Sequence, residues 1–323
     1  MSDSLYFWIN PIFAIMKRLL LLLFISSLAI TSKAQYGMDF GLNVGATNYV
    51  GEIGYAETSR DYLDISLQTT NFLVGGFYRY SFTQNIAAKI QINYLRLSGA
   101  DSLSDNPARY GRNLSFRTDV VEIAATGEYN FFVMNDLNRR SKSRVDFKSY
   151  VFAGVGAAFF YPYAQYNDRW YYLRPLQTEG TENAYDEMTI AVPFGFGANL
   201  TFNKKIRLGV EASYRFTFTD YLDDVSTDYA ADTELPFEES KIFAQRSDEV
   251  YESGKLIDGM LHPNYYGYNG SNPDGGAIRG NPESDDGYFL LQFNLSFVIE
   301  SGNNFYRSRY GKIINRRRKR RKF

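Results

Sequence analysis

Apolar and polar positions alternate through most of the chain, most cleanly from Met188 to Thr219. The even positions Met188, Ile190, Val192, Phe194, Phe196, Ala198, Leu200 and Phe202 are apolar. The positions between them are small or polar. After the turn Asn203-Lys204 the pattern restarts with Ile206, Leu208, Val210, Ala212, Tyr214, Phe216 and Phe218. A period of two predicts strands with one apolar and one polar face. Both runs exceed the usual strand length of about five or six residues. They reach the roughly 9–11 residues that a membrane-spanning strand needs. The pair therefore predicts a transmembrane hairpin.

The same alternation predicts six further strands. Strand one runs from Tyr36 to Ala46, strand two from Phe72 to Phe82 and strand three from Ile86 to Tyr94. Strand four carries Val121, Ile123, Ala125, Tyr129 and Phe131 on its apolar face. Strand five, Ser149 to Tyr161, is apolar on both faces, so its register is open. The hairpin supplies strands six and seven. Strand eight alternates Phe289, Leu291, Phe293, Leu295, Phe297 and Ile299 with mostly polar positions. The connections run long, short, long, medium, long, short, long. That is the habit of outer-membrane barrels, with short periplasmic turns and long outer loops, and it places both termini in the periplasm. A soluble β-sandwich also has short alternating strands, but strands this long and aromatic argue against it.

Composition supports the membrane reading. Aromatic residues make up 17% of the chain, with 27 Tyr and 26 Phe, which aromatic girdles at the two interfaces would use. Mean hydropathy is only −0.34, as expected when alternate residues alone face lipid. There is no cysteine, which excludes a disulfide scaffold, thiolate-bound metal and a cysteine nucleophile. Near the N-terminus, Lys17-Arg18, the apolar run Leu19 to Ile30 and Ser32-Lys33-Ala34 form the three parts of a secretory signal. We expect 1–34 to be that signal, with Met16 as the natural start, 35–300 to be the barrel and 301–323 a periplasmic tail.

An eight-stranded barrel is just wide enough for side chains to fill it. The polar faces put Asp39, Arg79, Lys89, Glu122, Glu128, Arg207, Glu211 and Arg215 inside, four acids and four bases. Unpaired charge there is costly and paired charge tolerable, so the balance predicts an ion-paired, plugged lumen rather than a pore. Glu211 is expected to pair with Arg207, Arg215 or a base on a neighbouring strand. Catalysis has one candidate at the rim, His262, the only histidine, which a loop position beside Pro263 marks as a surface residue. The run Asp220, Asp223, Asp224 and Asp228 offers oxygens to calcium but lacks the spacing of a calcium loop. Its reading is an acidic solvated loop, since 220–286 holds 16 acids against four bases. No metal, cofactor or nucleic acid is expected.

The C-terminus is the opposite. Arg307 to Lys322 contains ten bases and no acid, among them Arg316, Arg317, Arg318, Lys319, Arg320, Arg321 and Lys322. In the periplasm such a tail would meet acidic proteins, anionic headgroups or peptidoglycan, or would simply be solvated.

Several stretches at the strand edges resemble one family. They are Asn48 to Gly54, Phe77 to Phe82, Ser98 to Asp101, Arg112 to Arg117, Phe152 to Gly156, Pro175 to Gly180, Thr217 to Ser226 and Arg279 to Pro282. Together they resemble the PorG-type outer-membrane barrels of Bacteroidota over about Tyr36 to Ile299. The resemblance implies an eight-stranded antiparallel transmembrane β-barrel, OmpA-like, with long extracellular loops. It also implies a non-enzymatic role in the type IX secretion system, tethering a periplasmic ring of PorK-like lipoprotein and PorN-like protein to the outer membrane. The acidic loop around 232–278 and the basic tail depart from that pattern. A small porin or receptor barrel is the alternative.

Overall fold

The computed structural model describes residues 37–53, 67–104, 106–137, 145–247, 249–250 and 278–299. The expected signal segment 1–34, His262 and the tail 301–323 lie outside the described residues.

Nine strands form: β1 (Met38–Val50), β2 (Asn71–Ser81), β3 (Ile86–Ala100), β4 (Ser115–Met134), β5 (Val145–Tyr166), β6 (Arg169–Tyr172), β7 (Met188–Phe202), β8 (Ile206–Thr217) and β9 (Gly287–Ile299). Eight of them close a ring. The order β4-β3-β2-β1-β9-β8-β7-β5 is completed by a β4–β5 pairing, and every ladder is antiparallel. The seam between first and last strands runs continuously from Met38↔Ile299 to Val50↔Gly287. Closure leaves none of the eight with a free edge along the spanning part, which lipid requires. The short β6 folds back on the far end of β5 only. Sequence reading assigns that stretch to a loop.

The faces follow the alternation. Leu42 and Phe196 are 66% and 65% exposed, while Asp39 and Arg215 are fully buried. Phe40, Val44, Val74, Ile90, Ile92, Ile123, Val155, Ile190, Leu208, Val210, Phe293 and Leu295 complete an outward apolar belt. A soluble protein does not expose a continuous surface of this kind. The molecule is an eight-stranded antiparallel transmembrane β-barrel.

At one end of the barrel lie the turns 82–85 and 203–205 together with Gly37 and Ile299. At the other end, the mouth, β3, β4 and β5 rise well beyond the expected strands. β4 begins at Ser115, not near Val121, and β5 runs on to Tyr166. The reason is an inversion of polarity. Below Tyr94 the inward positions of β3 are Gln91 and Asn93 and the outward ones Ile90 and Ile92. Above it Leu95 and Leu97 are buried inside, and Arg96 on the outer face pairs with Asp119 of β4 at 2.6 Å. The strand has left the bilayer, so water is now outside and an ordinary apolar core is inside. That core gathers Leu73, Leu95, Leu97, Phe116, Val120, Phe160 and Leu290 from the walls with Leu222 and Val225 from the β8–β9 connection.

Candidate functional site

The lumen below this core is filled by charge. Arg79 sits at its centre, meeting Glu128 at 2.8 Å, Asp39 at 3.2 Å and Glu211 at 3.2 Å. Lys89 approaches Glu211 at 2.6 Å, and Arg207 reaches Asp39 at 2.7 Å. Tyr150 donates to Glu211 Oε1 at 2.6 Å, and Ser296 donates to Asp39 at 3.0 Å. Higher up, Arg215 donates to both oxygens of Glu122, at 3.0 and 3.3 Å. Tyr288 donates to the same carboxylate at 2.8 Å, and Gln91 and Asn93 also donate to it. All eight charged residues singled out in the sequence therefore lie in the lumen, in a lower group of three acids with three bases and an upper pair.

Glu211 pairs with neither Arg207 nor Arg215, and with no base on an adjacent strand. Its partners, Lys89 on β3 and Arg79 on β2, stand on the opposite wall. Positions four apart on one strand are separated by roughly 13 Å at about 3.3 Å per residue, whereas long side chains meet readily across a narrow barrel.

The mouth is closed by the β8–β9 connection. Asp220, Asp223 and Asp224 are buried, and only Asp228 of that run is exposed. The solvated-loop reading is thus corrected. Leu222 and Val225 carry the segment into the apolar core, and its carboxyl groups are drawn in with them. Tyr49 Oη lies 2.7 Å from Asp223 Oδ2 and 2.5 Å from Asp286 Oδ1. The Leu222 amide donates to Asp286 at 2.9 Å, and the Val225 amide donates to Asp223 at 3.0 Å. Among the described residues no group of three or more carboxyl or imidazole side chains could hold a metal ion.

Two arginines clamp the segment from the sides. Arg279 Nη1 meets Glu179 at 2.8 Å and donates to the Asp224 carbonyl at 2.7 Å. Glu179 in turn accepts the amides of Ser226 and Thr227 at 2.9 and 3.0 Å. Arg112 forks onto Asp101 at 2.7 and 2.8 Å and reaches the carbonyls of Arg279 and Glu52. Thr178 and Tyr185 both donate to Asp224. Sequence reasoning missed Tyr49, Asp101, Arg112, Glu179, Arg279 and Asp286 as a site. A signal was present: six of the eight family-like stretches supply residues to this one place.

Acid accumulates here. Burial first, then Asp223, pushes Glu52 up to about 8. Burial, with Asp286 next, pushes Asp220 up to about 11. Burial pushes Asp223 to about 7 and Asp224 to about 6, against lowering hydrogen bonds and arginine charge. Asp286 is raised well above the carboxylate range by burial and Asp223.

A family model described as a domain of unknown function, DUF6089, matches residues 17–241. The chain belongs to the DUF6089 family. No curated protein matches. Among solved structures the chain is similar to Ail, the attachment invasion locus protein of Yersinia pestis. The identity is 9% over 81% of this chain and 98% of that one, with a TM-score of 0.29. A second structure of Ail, in complex with the heparin analogue sucrose octasulfate, gives 12% identity over 81% and 99%, with a TM-score of 0.26. The DUF6089 barrel is defined by its own closed ladder rather than by these likenesses.

Proposed function

We propose that this DUF6089 protein is a non-enzymatic barrel of the Gram-negative outer membrane that anchors periplasmic components of the type IX secretion machinery. The observation that carries this reading is the filled interior. One network of three acids and three bases in the lower lumen, the Glu122–Arg215 pair above it and the seated 220–226 segment leave the interior to structure. Work on a partner then falls to the surfaces outside the belt. The resemblance to PorG-type barrels supplies the class of partner, a PorK/PorN-like ring. The basic tail, Arg316 to Lys322, supplies a charge with no acid of its own to neutralise it. In the same reading the short-turn end, the chain termini and the tail face the periplasm.

The test is affinity purification from native outer membranes, comparing the full chain with a chain truncated after Ser301. No barrel strand is lost by that truncation, so the barrel inserts. Recovery of periplasmic secretion components falls on truncation, and falls for the full chain at high salt as the screening length drops below about 10 Å. Equal recovery from both chains would transfer the contact to the short turns and the 134–147 connection.

A further inference from the structure

The contact between Tyr49, Asp223 and Asp286 contains a proton that ionised aspartates could not supply. A phenol has one hydrogen to donate. Tyr49 Oη nevertheless stands at hydrogen-bond distance from two carboxyl oxygens, Asp223 Oδ2 and Asp286 Oδ1. It also accepts the Glu52 amide at 3.2 Å. One aspartate must therefore carry a proton and donate it to the phenol oxygen. Otherwise two of these oxygens meet with no hydrogen between them.

The neighbouring arginines lower Asp223 through their charge, but their direct contacts lie elsewhere. Arg112, facing the cluster from the β3–β4 connection, is engaged by Asp101. Arg279, arriving just before β9, is engaged by Glu179 from the β6–β7 connection. From the barrel side, Arg215 and Tyr288 are bound to Glu122. Within the cluster, Glu52 Oε2 is buried without a hydrogen-bond partner, and the buried Asp220 has only Ser226 beside it to lower it. No metal-binding group exists among the described residues.

The same carboxyl groups hold the stopper. Asp286 takes the Leu222 amide and Asp223 takes that of Val225, and these are the two apolar residues seated in the mouth. We propose that Asp220–Ser226 is a proton-held stopper, seated by protons shared among Tyr49, Asp223 and Asp286 and released when alkaline pH removes them. Release needs no change in the strands, because the segment lies wholly in a connection. The device is independent of which partner the barrel anchors.

The sign of the effect follows from linkage. Carboxyl groups raised on folding bind more protons seated than free. The stabilisation is complete below the free-chain value of about 4. Its loss begins as pH rises through about 7 for Asp223 and about 8 for Glu52, and is complete only beyond the higher ranges of Asp220, about 11, and of Asp286, which burial and Asp223 raise well above the carboxylate range.

The chain has no cysteine, so two engineered ones carry spin labels alone. Asp228→Cys, exposed beside the stopper, and Trp170→Cys, exposed on β6, provide the pair. The interlabel distance is measured by electron paramagnetic resonance on the full chain in liposomes, at about pH 6 and about pH 11. The expected result is a narrow distribution at the lower pH and loss of the narrow component at the higher. Asn imitates a protonated Asp, so Asp223→Asn combined with Asp286→Asn keeps the narrow component at both. If the double variant does not insert, Asp223→Asn alone must raise the pH of release. A distance unchanged across the range, Asn variants that respond as the parent does, or a parent response abolished by EDTA would each overturn the proposal.

Discussion

Glu211 is the residue on which the lower lumen depends most. Its carboxylate is shared by Lys89, Arg79 and Tyr150, on three other strands, and is completely enclosed. Removing one member of a buried ion pair strands the others in a low-dielectric interior and costs about 3–5 kcal/mol. Glu211→Ala is therefore expected to lower the urea midpoint and weaken heat-modifiable gel mobility, while Glu211→Gln, which keeps the Tyr150 contact, loses less. An unchanged midpoint in the alanine variant would remove the network from the stability of the barrel. At this scale the sequence made the contents of the lumen legible, because a period of two assigns each charge to a face. It could not reveal the partners. Pairing across a closed barrel depends on which walls oppose each other, and that is a property of the ring rather than of any one strand. The buried aspartates of 220–226 were illegible for a different reason. Their charge marks them as exposed, and only the seating of Leu222 and Val225 overrides it.

Among the elements, β8 tests the assignment of faces. Val210 points outward from mid-strand. An arginine facing lipid at mid-depth costs roughly 2–4 kcal/mol in a barrel, so Val210→Arg is expected to impair insertion into liposomes. Gly209→Ser, on the lumen face, crowds the movable end of the Asn199 side chain and makes ordinary contact with the Ala198 carbonyl, and is expected to insert nearly as well as the parent. Equal insertion of the two variants would reverse the assignment. The closing seam is less tolerant. A Cβ at Gly41 would fall 2.2 Å from the backbone oxygen of Leu295 on β9, so Gly41→Ala is expected to reduce the yield of heat-modifiable, closed barrel. The spanning parts of seven barrel strands were legible from alternation, and β5, apolar on both faces, was legible as a strand without a register. The upper parts of β3, β4 and β5 were not. There the outer face meets water and the inner face meets a core, so polarity reverses while geometry continues, and a search for apolar outward positions stops at Tyr94 and Val121. Strand β6 escaped because four residues, Arg169–Tyr172, are too few to display a period.

For the whole molecule, three layers stack along the barrel axis: the ion-paired lumen, the Glu122–Arg215 pair with its polar neighbours, and the apolar core under the stopper. Each fills the bore by a different chemistry. The proposed orientation predicts that protease added to intact cells leaves Arg316 to Lys322 in place, because an even number of strands returns the chain to the side on which it started. Removal of the tail under those conditions would invert the topology. The account rests most directly on the filled bore, and planar-bilayer recording of the full chain at about pH 6, below release of the stopper, reads it. A sealed membrane with no stable conducting state is the predicted result. A sustained, ohmic open channel would contradict it and make the barrel a porin.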